Sequence, residues 1–156
     1  YKEPKNQFVA EFIGSTNLIK GQVVSKSKES DCVVCMIKTG ISDTPIRVEE
    51  PLNKRQYNMQ DVLLAVRPEL IHLMKDRTGH INSFKAKILN SVYMGDYYRT
   101  LIKTADGNTL NVKISPEAYR QYSSFDELEF FFNPDCVTTI YEKEKGVMLK
   151  VVEEKQ

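Results

Sequence analysis

The stretch Leu101-Ile102-Lys103-Thr104-Ala105-Asp106-Gly107-Asn108-Thr109-Leu110-Asn111-Val112-Lys113-Ile114 decides the fold. Two β-type runs, 101–104 and 109–114, flank Ala105-Asp106-Gly107-Asn108. Asp-Gly between such runs is a strong hairpin signal, because the tight reversal needs a residue at φ > 0. Just upstream, Phe84, Ala86 and Ile88 alternate with Lys85 and Lys87, the period of a half-buried strand. Just downstream, Ser115-Pro116-Glu117 opens a single short helix: Ser caps it and Pro suits its first position. Runs 127–132 and 146–152 read as closing strands.

The first half has the same texture with weaker punctuation. Residues 18–24, 32–37, 45–48 and 61–66 are short β-type runs, and 25–30 is a polar turn. Residues 68–73 lead into the polar break Asp76-Arg77-Thr78-Gly79-His80. Roughly ten short strands with frequent turns predict an all-β barrel or sandwich. Two similar β units, split near residue 79, are expected as a weak internal repeat. The start differs. In 4–13, Phe8 and Phe12 lie four apart with Val9 and Ile13 beside them, one apolar stripe on a short N-terminal helix. Gly14 ends it. A stripe that apolar is expected to dock onto something.

Composition narrows the chemistry. Hydrophobic residues are 41% and charged residues 28% of the 156, which allows a packed core and argues against disorder. Lys and Arg total 22 against 21 Asp and Glu, so no global field favours DNA, RNA or an anionic membrane. No apolar run approaches the roughly 18 residues of a membrane span. The three cysteines, Cys32, Cys35 and Cys136, are too few and odd in number for a secreted disulfide framework. With two histidines, His72 and His80, a four-ligand zinc site would consume nearly every ligand in the chain.

Cys32-x-x-Cys35 lies in a β run, not at a helix start where a dipole would lower a thiol pKa. Three apart on a strand, its side chains face opposite sides, one to core and one to solvent. Neither histidine has a partner at a recognisable nucleophile elbow, and no G-x-x-x-x-G-K-[ST] or G-x-G-x-x-G loop is present. Tyr93, Tyr97 and Tyr98 lie near Arg99, Lys103, Lys85 and Lys87, the mixture with which some small barrels stack bases. The near-neutral charge and the β propensity of aromatics favour a packing role instead.

Three stretches together resemble a known family. They are Glu3-Pro4-x-Asn6-x-Phe8-Val9-Ala10-x-Phe12-Ile13-Gly14, then Val66-Arg67-Pro68-Glu69, then Val92-Tyr93-x-Gly95-Asp96 followed by Ala105-Asp106-Gly107. In this order they resemble the C-terminal transport-associated OB (TOBE) regulatory domain of ABC importer ATP-binding subunits, of the spermidine/putrescine type. The resemblance implies a pair of OB-like, MOP-like β-barrels after a short helix. Residues 1–14 would be the linker helix leaving a nucleotide-binding domain that precedes Tyr1. Residues 15–79 would form the first OB-like unit, completed by strands from 135–152. Residues 80–134 would form the second unit, and 135–156 the closing strands and tail.

The resemblance implies a non-catalytic regulatory and dimerisation role, with no cofactor in this part and ATP and Mg in the parent subunit. It implies a homodimer, the missing nucleotide-binding domain and importer permease subunits as partners, and a cytoplasmic position at the inner face of the membrane. No nucleic acid and no direct membrane insertion are expected. Structural or interface roles fall to Phe8, Phe12, Arg67, Glu69, Gly95 and Asp96. Arg67 and Glu69 would share a face if extended, Pro68 suits a strand entry, and Gly95-Asp96 reads as a turn. A polyamine-like ligand would need carboxylates and aromatic walls, for which Tyr57, Asp61, Tyr97 and Tyr98 are candidates beside Asp96. Two alternatives stay open: a small-ligand or oxyanion sensor at the barrel interface, and a nucleic-acid-binding OB module.

Overall fold

The structure, a computed structural model, describes residues 16–75 and 79–141. Its strands, in chain order, are β1 (Asn17–Lys28), β2 (Cys32–Thr39), β3 (Ile46–Pro51), β4 (Asp61–Val66), β5 (His72–Leu73), β6 (Ser83–Tyr93), β7 (Tyr98–Thr104), β8 (Thr109–Ile114), β9 (Leu128–Phe131) and β10 (Thr138–Tyr141). They form two curled five-stranded antiparallel sheets, ordered β10-β4-β1-β2-β3 and β5-β9-β6-β7-β8. One helix, α1 (Pro116–Tyr122), lies between β8 and β9. The all-β, OB-like class expected from the sequence is the class observed.

Alternation explains why these residues are strands. In β8, Leu110, Val112 and Ile114 are buried while Thr109, Asn111 and Lys113 face out. The preceding turn is a hydrogen-bonded reversal from Thr104 to Gly107, with Gly107 at φ +86°. The Asp106 carboxylate accepts from the Thr104 hydroxyl and the Asn108 amide, fixing the turn from inside. In β4 all of Val62–Val66 is buried, as suits a strand with neighbours on both edges, β1 and β10. Ser115 caps α1 by accepting from the Ala118 amide, and Pro116 occupies the first helical turn.

The two sheets repeat one plan. Each is built on a long first strand with a bulge, at Val24 in β1 and Leu89 in β6. Each places a hairpin next (β2–β3 and β7–β8), then a fourth strand (β4 and β9), then a single 3-10 turn at Pro68–Leu70 or Pro134–Cys136. The fifth strand of each sheet comes from across the chain. β10 follows the second unit but joins β4 of the first, while β5 follows the first unit but joins β9 of the second.

The interiors are filled differently. Phe84, Phe130 and Phe132 pack together in the second unit, and α1 contributes Ala118 to the buried cluster with Tyr119 and Tyr122 packed against it. Burying each such aromatic contributes about 1.5–3 kcal/mol. In the first unit the loop 52–60 takes the helix's place. Its Lys54, Gln56 and Tyr57 meet Lys26, Glu50, Thr139 and Tyr141 in a polar network.

Two expectations need correction. Residues 25–30, read as a turn, are strand up to Lys28, and the reversal occupies only Glu29–Asp31. The polar run is the solvated outer half of a strand that extends past its bulge. Residues 68–73 are not one extended run. Pro68 opens a 3-10 turn, closed by the Leu70 and Ile71 amides on the carbonyls of Arg67 and Pro68, and only His72–Leu73 is strand. A proline with fixed φ at the first turn position favours this geometry. The helix read over 4–13, Gly14 and the strand read over 146–152 lie outside the described residues. No helix among the described residues is long and apolar enough to cross a membrane.

Candidate functional site

A groove of about 730 Å³ lies where the two units meet. Its floor is the outer face of the second sheet, carrying Asn90 of β6, Arg99 and Leu101 of β7, and Asn111 and Lys113 of β8. Its rim is the start of β1, with Thr16 and Asn17, and the step Arg67-Pro68-Glu69 after β4. β-sheet register sets the floor. Arg99 and Lys113 are direct cross-strand partners, and both point outward because their neighbours Thr100 and Val112 point in. Like charges directly opposite repel. Lys113 reaches over the Tyr97 ring instead, 4.8 Å from its centroid. The Thr16 hydroxyl at the rim is buried with no hydrogen-bond partner.

Asn17 builds the rim. Its side-chain amide donates to the Asn111 carbonyl and its carbonyl accepts from the Asn111 amide, each at 2.8 Å. It thereby clips the first strand of one sheet onto the outer edge strand of the other. The groove brings together Arg67, Glu69 and Tyr97 of the residues singled out from sequence. The others stand elsewhere. Gly95 and Asp96 form the exposed β6–β7 tip, with Gly95 at φ +103° and the Tyr93 hydroxyl donating to its carbonyl. Tyr98 stacks on Tyr119 at 3.9 Å. Tyr57 packs against Tyr141, and Asp61 accepts from Gln22 at the start of β4. Phe8 and Phe12 lie outside the described residues. Tyr57, Asp61, Tyr97 and Tyr98 are therefore not gathered into one pocket. Lys113 and Asn111 escaped the sequence reading. Alternation along 109–114 marks them as outward, but only the β7–β8 register puts them beside Arg99.

The polar network of the first unit closes its barrel. Glu50 of β3 is 2% exposed, and its carboxylate accepts from the Thr139 amide and hydroxyl of β10, the opposite edge of the same sheet. Burial alone would push the Glu50 carboxyl up. The Lys54 ammonium beside it and the Lys54 and Thr139 hydrogen bonds overcome this and hold it below its ordinary value. Lys26 spans Gln56, the Tyr57 carbonyl and the Tyr141 hydroxyl, and burial pushes its pKa down. Cys35 is fully buried here, and burial followed by the Glu50 charge pushes its thiol up. Half-buried Cys32 is also raised, by desolvation and by Glu49 and Glu29. Neither thiol is activated as a nucleophile. Both histidines pack on Phe131, His80 stacked at 4.0 Å and His72 tilted at 5.3 Å. Among the described residues no cluster of His, Cys, Asp and Glu is arranged to hold a metal ion.

Comparison with known proteins agrees with this architecture. The solved structure of the cytoplasmic molybdate-binding protein ModG, with molybdate bound, superposes with a TM-score of 0.70 over 81% of this chain and 96% of that one. At 14% identity the likeness is one of fold. The spermidine/putrescine import ATP-binding protein PotA of Trichormus variabilis is 31% identical over 142 residues, 90% of this chain and 33% of the relative. PotA of Nostoc sp. is 30% identical over 149 residues, with the same coverage. The chain thus spans about a third of the length of the curated relatives it matches. Residues 64–135 match the TOBE domain family, a stretch that runs from the end of β4 through the groove floor to the second 3-10 turn. Residues 64–135 thus match the TOBE domain family, within a sequence similar over most of its length to part of spermidine/putrescine import ATP-binding proteins.

Proposed function

We propose that this chain is the non-catalytic regulatory and dimerisation part of the ATP-binding subunit of an ABC importer for a polyamine-like solute. The observation that carries the reading is similarity along 90% of the chain to spermidine/putrescine import ATP-binding proteins. In this role the domain works mechanically. A contact between β surfaces keeps two ATPase subunits together while they open and close, and any bound ligand acts through unequal affinity for the two states. ATP and Mg belong to a nucleotide-binding domain elsewhere in the parent subunit. The permease subunits are reached through that domain, at the inner face of the membrane.

Two experiments test this. The codons upstream of Tyr1 are expected to encode a nucleotide-binding domain with its phosphate-binding loop, and an unrelated domain there overturns the parentage. Purified chain incubated with ATP and Mg is expected to show no turnover. Turnover that tracks the chain through successive columns overturns the non-catalytic role.

A further inference from the structure

Outward residues of the second sheet form two rows across the groove floor. One row is Val92, Arg99 and Lys113, and the other, further along the strands, is Asn90, Leu101 and Asn111. In the first row two cations stand directly opposite on adjacent strands, with Cβ atoms about 5 Å apart. Arg99 has no hydrogen bond or ion pair among the described residues. Lys113 has no acidic partner there either, and the Tyr97 ring under its ammonium fixes where that charge stands. Lys85, on the same face of the sheet, has Glu129 opposite and is compensated.

The chemistry of this floor fits a phosphorylated sugar. Two cations held this close can share one phosphate dianion, and the guanidinium fork of Arg99 matches its oxygens. Binding relieves their mutual repulsion, whereas a single carboxylate compensates one charge of the two. The second row lies about 7 Å along the strands. There Leu101 stands between two asparagines, and neither the Asn90 nor the Asn111 side chain has a hydrogen-bond partner among the described residues. An apolar centre flanked by amides that both donate and accept suits a sugar ring, with its C–H face on Leu101 and its edge hydroxyls on the amides. On the rim, Glu69 can accept from a further hydroxyl, and the Thr16 hydroxyl is buried without a partner. The groove volume of about 730 Å³ falls within the range of small-ligand sites, roughly 300–1,000 Å³.

We propose that this groove binds a phosphorylated sugar, free or as part of a nucleotide, with the phosphate between Arg99 and Lys113 and the ring across Asn90, Leu101 and Asn111. The rim comes from the first unit and the floor from the second, so a bound ligand adds a tie across the seam. A single-stranded nucleic acid fits less well, because the Asn17 and Arg67-Pro68-Glu69 rim bounds the floor and places a carboxylate beside it.

The test is titration calorimetry of the 156-residue chain with ribose 5-phosphate, AMP, inorganic phosphate and ribose, repeated with Arg99→Ala, Lys113→Ala and Lys103→Ala. Lys103 faces Lys87 on the same sheet face but outside the groove, and serves as the charge control. Ribose 5-phosphate, AMP or both are expected to bind at least about tenfold more tightly than inorganic phosphate, and ribose is expected not to bind. The preference between the two esters tells a free sugar phosphate from a nucleotide. Arg99→Ala and Lys113→Ala are each expected to weaken binding about tenfold or more, the effect of losing a hydrogen bond to a charged group, while Lys103→Ala stays within about twofold of wild type. Shifts of the Asn111 and Lys113 amides in NMR spectra of the wild-type chain place the ligand without any variant, and shifts confined to another surface overturn the site. No binding of either ester overturns the proposal and leaves the importer parentage untouched. Inorganic phosphate binding as tightly as the esters shows an adventitious ion only, and equal weakening by Lys103→Ala shows general surface charge. Either result overturns the proposal, as does a single-stranded oligonucleotide that displaces both esters and depends on Lys103.

Discussion

Asn17 and Asn82 perform the same act on opposite units: each side chain clasps both backbone groups of one residue on the third strand of the other sheet, Asn111 and Arg47 respectively. The two clasps are polar ties across the seam between the units. Asn82 makes its clasp from a left-handed backbone, φ +60°, which asparagine tolerates better than most residues. Asn17→Ala is expected to cost about 1 kcal/mol, because the partly buried Asn111 amide and carbonyl lose their side-chain partner. Asn82→Ala is expected to cost about 1 kcal/mol more for the backbone, and Asn82→Gly to recover that increment. Urea midpoints of the three variants check the order, and equal costs for Asn82→Ala and Asn82→Gly would refute the backbone part.

Glu50 predicts an acid limb. Its folded pKa lies below the ordinary 4.5, so the unfolded chain protonates first as pH falls. The associated stability is full above about 4.5 and disappears as pH falls from there through the lower folded value. Glu50→Gln is expected to flatten this limb. It should also destabilise at pH 7 by about 3 kcal/mol, the low end for breaking a buried pair, because Lys54 keeps some water contact. Unfolding curves between pH 3 and 7 for both proteins check it. An unchanged acid slope in the variant would remove Glu50 as its source.

The sequence showed the hairpin at Asp106-Gly107, the cap at Ser115 and the alternation of Phe84, Ala86 and Ile88, because each is a local pattern with a local physical cause. It also exposed Arg67 and Glu69 through a short motif. It did not disclose that Lys113 sits beside Arg99, or that Glu50 reaches Thr139, because those depend on strand register and on the curl of a sheet. The 25–30 stretch misled for a related reason. A strand solvated on its outer half has the composition of a loop, and only its pairing with β2 reveals it.

Two glycines separate packing from backbone strain. A Cβ on Gly21 would stand 2.5 Å from the Ile37 side chain, inside the first barrel. Gly107 has open space but φ +86°. Gly107→Ala is expected to cost about 1–2 kcal/mol, the price of a left-handed conformation for an L-residue. Gly21→Ala is expected to cost up to about 3 kcal/mol, from overpacking between paired strands. Thermal unfolding of the two variants tests the order, and a neutral Gly21→Ala would mean that Ile37 yields freely.

The thiols should be slow. Desolvation raises all three, aided by Glu50 at Cys35, by Glu49 and Glu29 at Cys32, and by Asp135 at Cys136. Iodoacetamide at pH 7 is expected to label Cys32 and Cys136 slowly and Cys35 only after unfolding. Peptide mass spectrometry resolves the three sites. Rapid labelling of Cys35 in folded protein would show that the Glu50 network opens on its own.

The exchange of fifth strands has a consequence for synthesis on the ribosome. When β4 emerges, its second edge has no partner, and β10 is still some seventy codons away, about four to fourteen seconds at ordinary elongation rates. During that interval Leu63 and Leu64 border an open edge, of the kind that invites pairing with another nascent chain. The second sheet meets no such delay, since β5 is already made when β9 arrives to pair with it. The half of the molecule translated first is therefore the last to be completed.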